Sequence, residues 1–179
     1  AKSEYYLEAT EKELKIPLLM IMATDLNGKK ELIDRDLLFQ ILEGCRVLNL
    51  KTIVIDSQQK SETHDLLKNH VTWINPLTDF DGDGAVGPKE VDKLFLAADM
   101  ALVFHNQIEL IQLMASYGVV MIGEEKTPLL ENYKPNEESG NSFTYTNRDA
   151  WGVFAAIVRA AETYKFPFDW NNIVRNLIR

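Results

Sequence analysis

Pro17-Leu18-Leu19-Met20-Ile21-Met22-Ala23 runs without a polar residue, and it is too short for a helix buried on every side. Successive side chains of a strand point to opposite faces, so an unbroken apolar run of this length marks a strand covered on both of them. Such a strand belongs at the centre of a parallel sheet. Outward from it, runs rich in Ile, Val and Met recur at 52–56, 71–75, 100–104 and 119–122, with a weaker one at 142–146. Between them lie segments whose apolar residues return every three or four positions, at 34–48, 61–69, 88–98, 108–116 and 148–164, with further helices over 3–13 and from Trp170. This alternation of strand and helix defines the class as α/β, a Rossmann-like parallel sheet with helices on both faces.

The chain of 179 residues suits one compact domain, 1–179, which can bury about 70% of its unfolded surface. Hydrophobic content of 46% beside charged content of 26% excludes a disordered chain. Nineteen Lys and Arg against 27 Asp and Glu leave a net charge of −8, the wrong sign for neutralising phosphates along nucleic acid. No apolar run is long enough for a membrane span. The single Cys45 can form no internal disulfide and has no second Cys or His at zinc-ligand spacing, which places the chain in a reducing, intracellular setting. The start at Ala1-Lys2-Ser3 reads as an excised or processed product.

Asp34 is positioned to cap a helix whose Leu37, Leu38, Ile41, Leu42 and Cys45 share one face, so Cys45 is expected in the core and not as a nucleophile. On the 148–164 helix, Trp151, Phe154, Ala155 and Val158 are expected to face inward. Ligands of open parallel sheets sit at the carboxyl ends of the strands. The segments there contain no Gly-x-Gly-x-x-Gly, no Walker loop and no Gly-x-Ser-x-Gly elbow, so neither a dinucleotide nor a serine hydrolase is indicated. His105 stands at the rim after the fourth strand and is a candidate for contact with substrate. Glu124-Glu125-Lys126 follows the fifth strand, where it can meet a sugar hydroxyl, although solvated charge is the reading preferred; His64 and His70 carry no partner signal.

One motif is sharp. Asp79-Phe80-Asp81-Gly82-Asp83-Gly84-Ala85-Val86-Gly87-Pro88-Lys89-Glu90 matches the twelve-residue calcium loop at every defined position. Asp79, Asp81 and Asp83 alternate so that three carboxylates converge, Gly84 permits the turn, the Ala85 carbonyl adds a ligand and Glu90 binds in bidentate fashion. A chance match in such a chain has a probability on the order of 10⁻⁴. Its flanks are unusual, because Val71-Thr72-Trp73-Ile74-Asn75-Pro76 enters as a strand and a proline break where a helix normally stands. The expectation is a lone Ca²⁺ loop, 79–90, grafted between a strand and a helix.

Leu96-Ala97-Ala98-Asp99, Met114-Ala115-Ser116-Tyr117-Gly118-Val119-Val120-Met121-Ile122, Gly140-Asn141-Ser142-Phe143-Thr144-Tyr145, Ala156-Ile157-Val158-Arg159-Ala160 and Trp170 succeed one another in an order that resembles the carboxyl-terminal half of glycogen and starch synthases. That family has the glycosyltransferase-B fold, and the resemblance extends upstream to the strand and loop at 17–30. It implies a donor-side domain for ADP-glucose or UDP-glucose, an α-glucan product, a separate acceptor domain upstream, and a cytoplasmic or plastid location.

The departures fall on the parts that carry the family's chemistry. Where the first loop of the family holds an Arg and, five residues later, a Lys that clamp the donor phosphates, this chain has Thr24 and Lys29. No Glu stands in register with the family's sugar-contacting Glu among His105-Asn106-Gln107-Ile108-Glu109. The family's Thr-Gly-Gly-Leu is here Thr127-Pro128-Leu129-Leu130, in which Pro128 lacks an amide hydrogen and Leu129 adds bulk. A family resemblance with these losses implies a catalytically degenerate domain, with sugar nucleotide bound weakly or not at all and no catalytic residue. Lys29 and His105 remain as substrate contacts, and α-glucan or a partner protein as ligand. The alternative is the donor domain of an active α-glucan synthase; an unrelated α/β module switched by calcium is a third class.

Overall fold

The computed structural model describes residues 16–58, 67, 69–78, 88–104 and 108–178, with backbone alone at 88–90. The chain divides into two compact units that meet between Ala98 and Asp99. The first holds β1 (Leu18–Met22), α1 (Arg35–Val47), β2 (Lys51–Ile55), β3 (Val71–Ile74) and α2 (Pro88–Ala97). The second holds β4 (Met100–Leu102), α3 (Ile108–Ser116), β5 (Val120–Glu124), a single 3₁₀ turn at Pro135–Glu137, β6 (Ser142–Tyr145), α4 (Ala150–Tyr164) and α5 (Pro167–Ile178).

In the first unit β2 pairs in parallel with β1 on one side and β3 on the other, Met20 opposite Ile53 and Val54 opposite Trp73. Every residue of β1 is buried, as the unbroken apolar run requires of a strand covered on both faces. Asp34 caps α1, its carboxylate accepting from the Asp36 and Leu37 amides, and Leu38, Ile41, Leu42 and Cys45 form the buried face. Burial pushes the Cys45 thiol up to about 12, so it is core and not a nucleophile.

In the second unit β5 pairs in parallel with β4 and β6, Ala101 opposite Met121 and Ile122 opposite Phe143. Val120, Met121 and Ile122 have no exposure, so this strand too is covered on both faces. Two expectations need correction here. Trp151 is 81% exposed, and α4 buries Val153, Ala156, Ile157, Ala160 and Ala161 in place of Phe154, Ala155 and Val158. The buried stripe combines Val153 and Ile157 with three alanines, while Phe154 and Val158 are half-buried beside it and Ala155 is exposed. The last helix starts at Pro167, before Trp170, because a proline at the first helical position gives up no hydrogen bond. The helices expected over 3–13 and across most of 61–69 lie outside the described residues.

Candidate functional site

The carboxyl ends of the strands are built separately in the two units. In the first, β1 leads into a tight loop whose ends bridge Thr24 to Glu31. The Asp25 carboxylate accepts from the Lys29 and Lys30 amides at 2.7 and 3.1 Å, and the Gly28 amide donates to the Asp25 carbonyl at 2.8 Å. Gly28 has φ 66°, and a Cβ there would lie 2.8 Å from Leu77 Cγ and 2.9 Å from Ser57 Cβ, so only glycine fits. Thr24 is fully buried, and its hydroxyl accepts from the Ser57 amide at 3.2 Å. It fastens the β1 loop to the end of β2 and presents nothing to a ligand. Lys29 and Lys30 are both exposed, so the loop turns two lysines toward solvent.

Arg35, in the first turn of α1, cannot take the place of the missing arginine. Its Nη2 donates to Asp56 Oδ1 at 2.8 Å, its Nη1 pairs with the other carboxylate oxygen, and its Nε lies 3.5 Å from Glu31. Asp56 is fully buried at the end of β2, and the hydrogen bond to it is the main force raising the Arg35 pKa above its ordinary value. The fork is spent inside the unit.

In the second unit, the segment after β5 holds the replaced diglycine. Leu129 takes φ 70°, a left-handed conformation that glycine adopts freely and leucine does not. Asn141 straps the turn, donating to the Leu129 carbonyl at 3.0 Å and accepting from the Glu131 amide at 2.9 Å. Leu130 folds back until its Cδ1 would lie 2.7 Å from a Cβ at Gly123. The Leu129 side chain lines a groove of about 430 Å³ with Ile111, Met121, Leu177 and Ile178. The turn thus presents apolar bulk, and Pro128 within it has no amide hydrogen.

Further along the same strand ends, Arg148 stands 5.0 Å over the Phe104 ring and 3.7 Å from Glu124, with Tyr145 buried at the end of β6. The sequence pointed to Glu124 as able to meet a sugar hydroxyl but preferred solvated charge, and it gave no signal for Tyr145 or Arg148 as its neighbours. His105 lies outside the described residues, as do Asp79, Asp81, Asp83 and Ala85 and the side chain of Glu90. The flanks of the calcium-type loop are described: a strand and a turn at 75–78 precede it, and α2 begins at Pro88. Among the described residues no three His, Cys, Asp or Glu side chains converge as metal ligands, and no helix is long and apolar enough to cross a membrane.

The architecture is α/β with parallel strands and is the glycosyltransferase-B fold, resembling the catalytic domains of starch and glycogen synthases. Starch synthase IV of Arabidopsis thaliana, solved as its catalytic domain with ADP and acarbose, superposes with a TM-score of 0.66 over 99% of this chain and 38% of that one, at 16% identity. HepE of Anabaena, in complex with UDP and glucose, gives 0.57 over 99% of this chain and 47% of that one, at 11% identity. WaaG, a glycosyltransferase of lipopolysaccharide biosynthesis, gives 0.58 with the same two coverages at 12% identity. In sequence, 68 residues, 36% of the chain, are 37% identical to a glycogen synthase of Bacillus cytotoxicus and cover 14% of it. The chain therefore spans less than half the length of each of these proteins. No family model matches it.

Proposed function

We propose that the chain is the donor-side domain of a starch- or glycogen-synthase-like protein whose phosphate clamp has degenerated, and that it binds Ca²⁺ through 79–90 in a regulatory, glucan-binding or partner-binding role. An acceptor domain upstream in a longer chain belongs to the same reading. The observation that carries it is the turn at Leu129: its left-handed backbone is the shape a diglycine supplies, while Pro128 and Leu129 fill it with side chains. Thr24, sealed in the core, supports it from the other unit. A phosphate clamp acts through fixed charge and accessible amide dipoles; Thr24 brings no charge, Pro128 no amide hydrogen, and the Leu129 side chain adds bulk beside its own amide. Lys29 alone supplies a point charge without the bidentate fork of an arginine.

The second reading, an active donor domain, is favoured by Lys29, which stays exposed on a loop whose backbone is held rigid by Asp25. Calorimetric titration of the chelated protein, first with calcium and then with ADP-glucose, tests both. Saturable calcium heat with ADP-glucose affinity no better than millimolar is the expected result. Submillimolar ADP-glucose affinity that is lost with Lys29→Ala overturns the degenerate reading and establishes the second.

A further inference from the structure

The ends of β5 and β6 carry polar groups that the phosphate clamp leaves unused. Glu124 closes β5, Tyr145 closes β6, and the two are register partners in the parallel pair. Arg148 sits on the turn into α4, where the Asp149 cap and the Gly152 amide, joined at 2.7 Å, fix its place. Its Nη1 lies 3.7 Å from Glu124 Oε1, within ion-pair range but beyond a hydrogen bond. Each of these two side chains is 37% exposed, so solvent reaches the pair. Tyr145 is 4% exposed, and its hydroxyl has no hydrogen-bond partner among the described residues. A buried hydroxyl left in that state is the exception in proteins and calls for an explanation.

We propose that Glu124, Tyr145 and Arg148 form a binding site for the neighbouring hydroxyls of a non-ionic sugar. The three groups supply complementary roles. The Glu124 carboxylate only accepts, the Arg148 guanidinium only donates, and the Tyr145 hydroxyl does both. A vicinal diol, each of whose hydroxyls donates and accepts, is their counterpart. The set is neutral overall, and the carboxylate opposes a phosphate approaching the same place. Burial first, and then the Glu124 charge, raise the Tyr145 pKa, which keeps the phenol protonated and able to donate. The Phe104 ring, 5.0 Å from the guanidinium, also holds Arg148, which reduces the freedom lost when a ligand binds. The choice of an α-glucan as the sugar rests on the synthase-like reading above; the site itself does not.

The test is NMR titration of the isotope-labelled full chain with maltotriose and, separately, with ADP. Maltotriose is expected to shift the amides around Glu124, Tyr145 and Arg148 saturably, and ADP to leave them in place. Glu124→Gln and Tyr145→Phe are each expected to weaken maltotriose binding about fivefold or more. Tyr145→Phe keeps the ring and removes only the orphan oxygen, so its melting temperature should hold or rise; a weaker affinity in a protein of undiminished stability is what a purely structural tyrosine would not give. No saturable shift, shifts produced by ADP in place of maltotriose, or an affinity indifferent to both variants overturns the site. Those outcomes are independent of the calcium heat and of the Lys29→Ala result, which judge the degenerate-clamp reading instead.

Discussion

Leu129 is the residue whose backbone angle carries the proposed loss of a phosphate clamp. A leucine at φ 70° costs about 1–2 kcal/mol relative to a right-handed conformation, and the Asn141 strap on its carbonyl helps hold it there. Leu129→Gly relieves that strain but gives up side-chain contact and loosens the unfolded chain, so its unfolding free energy should change by less than about 1 kcal/mol. Pro128→Gly with Leu129→Gly restores the amide hydrogen at 128 and small size at both positions. We expect that pair to tighten ADP binding roughly fivefold in a calorimetric titration, and an unchanged affinity would mean that the turn is not what excludes the diphosphate. His70 illustrates a different residue-scale effect. Burial, followed by the charges of Lys51 and Arg46, lowers its pKa below the ordinary 6.5. The unfolded chain then binds the proton more readily, so stability is complete above about pH 6.5 and is lost as pH falls through the window between that value and the lowered one. Denaturant midpoints measured from about pH 7 down to 5 should decline, and His70→Gln should flatten that part of the decline.

At the scale of elements, two contacts decide whether strand ends and helix starts stay in place. Arg35 ties the first turn of α1 to Asp56 at the end of β2. Arg35→Met leaves a fully buried carboxylate without its partner, and about 3–5 kcal/mol of stability should go with it in chemical denaturation. In the second unit Arg159 reaches from α4 to Asn132 Oδ1 at 2.9 Å and to the Thr144 carbonyl at 2.5 Å, which fixes the helix on β6. The periodicity of α4 was legible in the sequence, but which arc faces inward was not. Trp151, Phe154, Ala155 and Val158 recur at helical spacing and so suggested one inward arc, but the neighbouring arc has the same spacing. The arc that packs inward is Val153, Ala156, Ile157, Ala160 and Ala161, and helical spacing alone does not distinguish it from its neighbour. Elsewhere the elements came directly from local signals. Asp34 and Asp149 cap the helices they precede, and the apolar runs became strands.

For the molecule as a whole, calcium offers the clearest test. The chain carries a net charge of −8, and four carboxylates within the loop 79–90 repel one another unless a cation joins them. Calcium at a hundredfold excess over its dissociation constant should add about 2.7 kcal/mol, which for a chain of this size raises the melting temperature by roughly 5–10 °C. Equal melting temperatures in calcium and in chelator would remove the cation from the proposal. The sequence by itself determined the class of fold, because strand and helix periodicities and caps are written in neighbouring residues. It also determined that Thr24 brings no guanidinium and Pro128 no amide hydrogen, the residue types on which the proposed loss of a phosphate clamp rests. Only the tertiary structure decided that Thr24 is sealed in the core, that Arg35 is spent on Asp56, and that Glu124, Tyr145 and Arg148 share one end of the strands. Those facts depend on which distant residues meet, and distance along the chain carries no record of it.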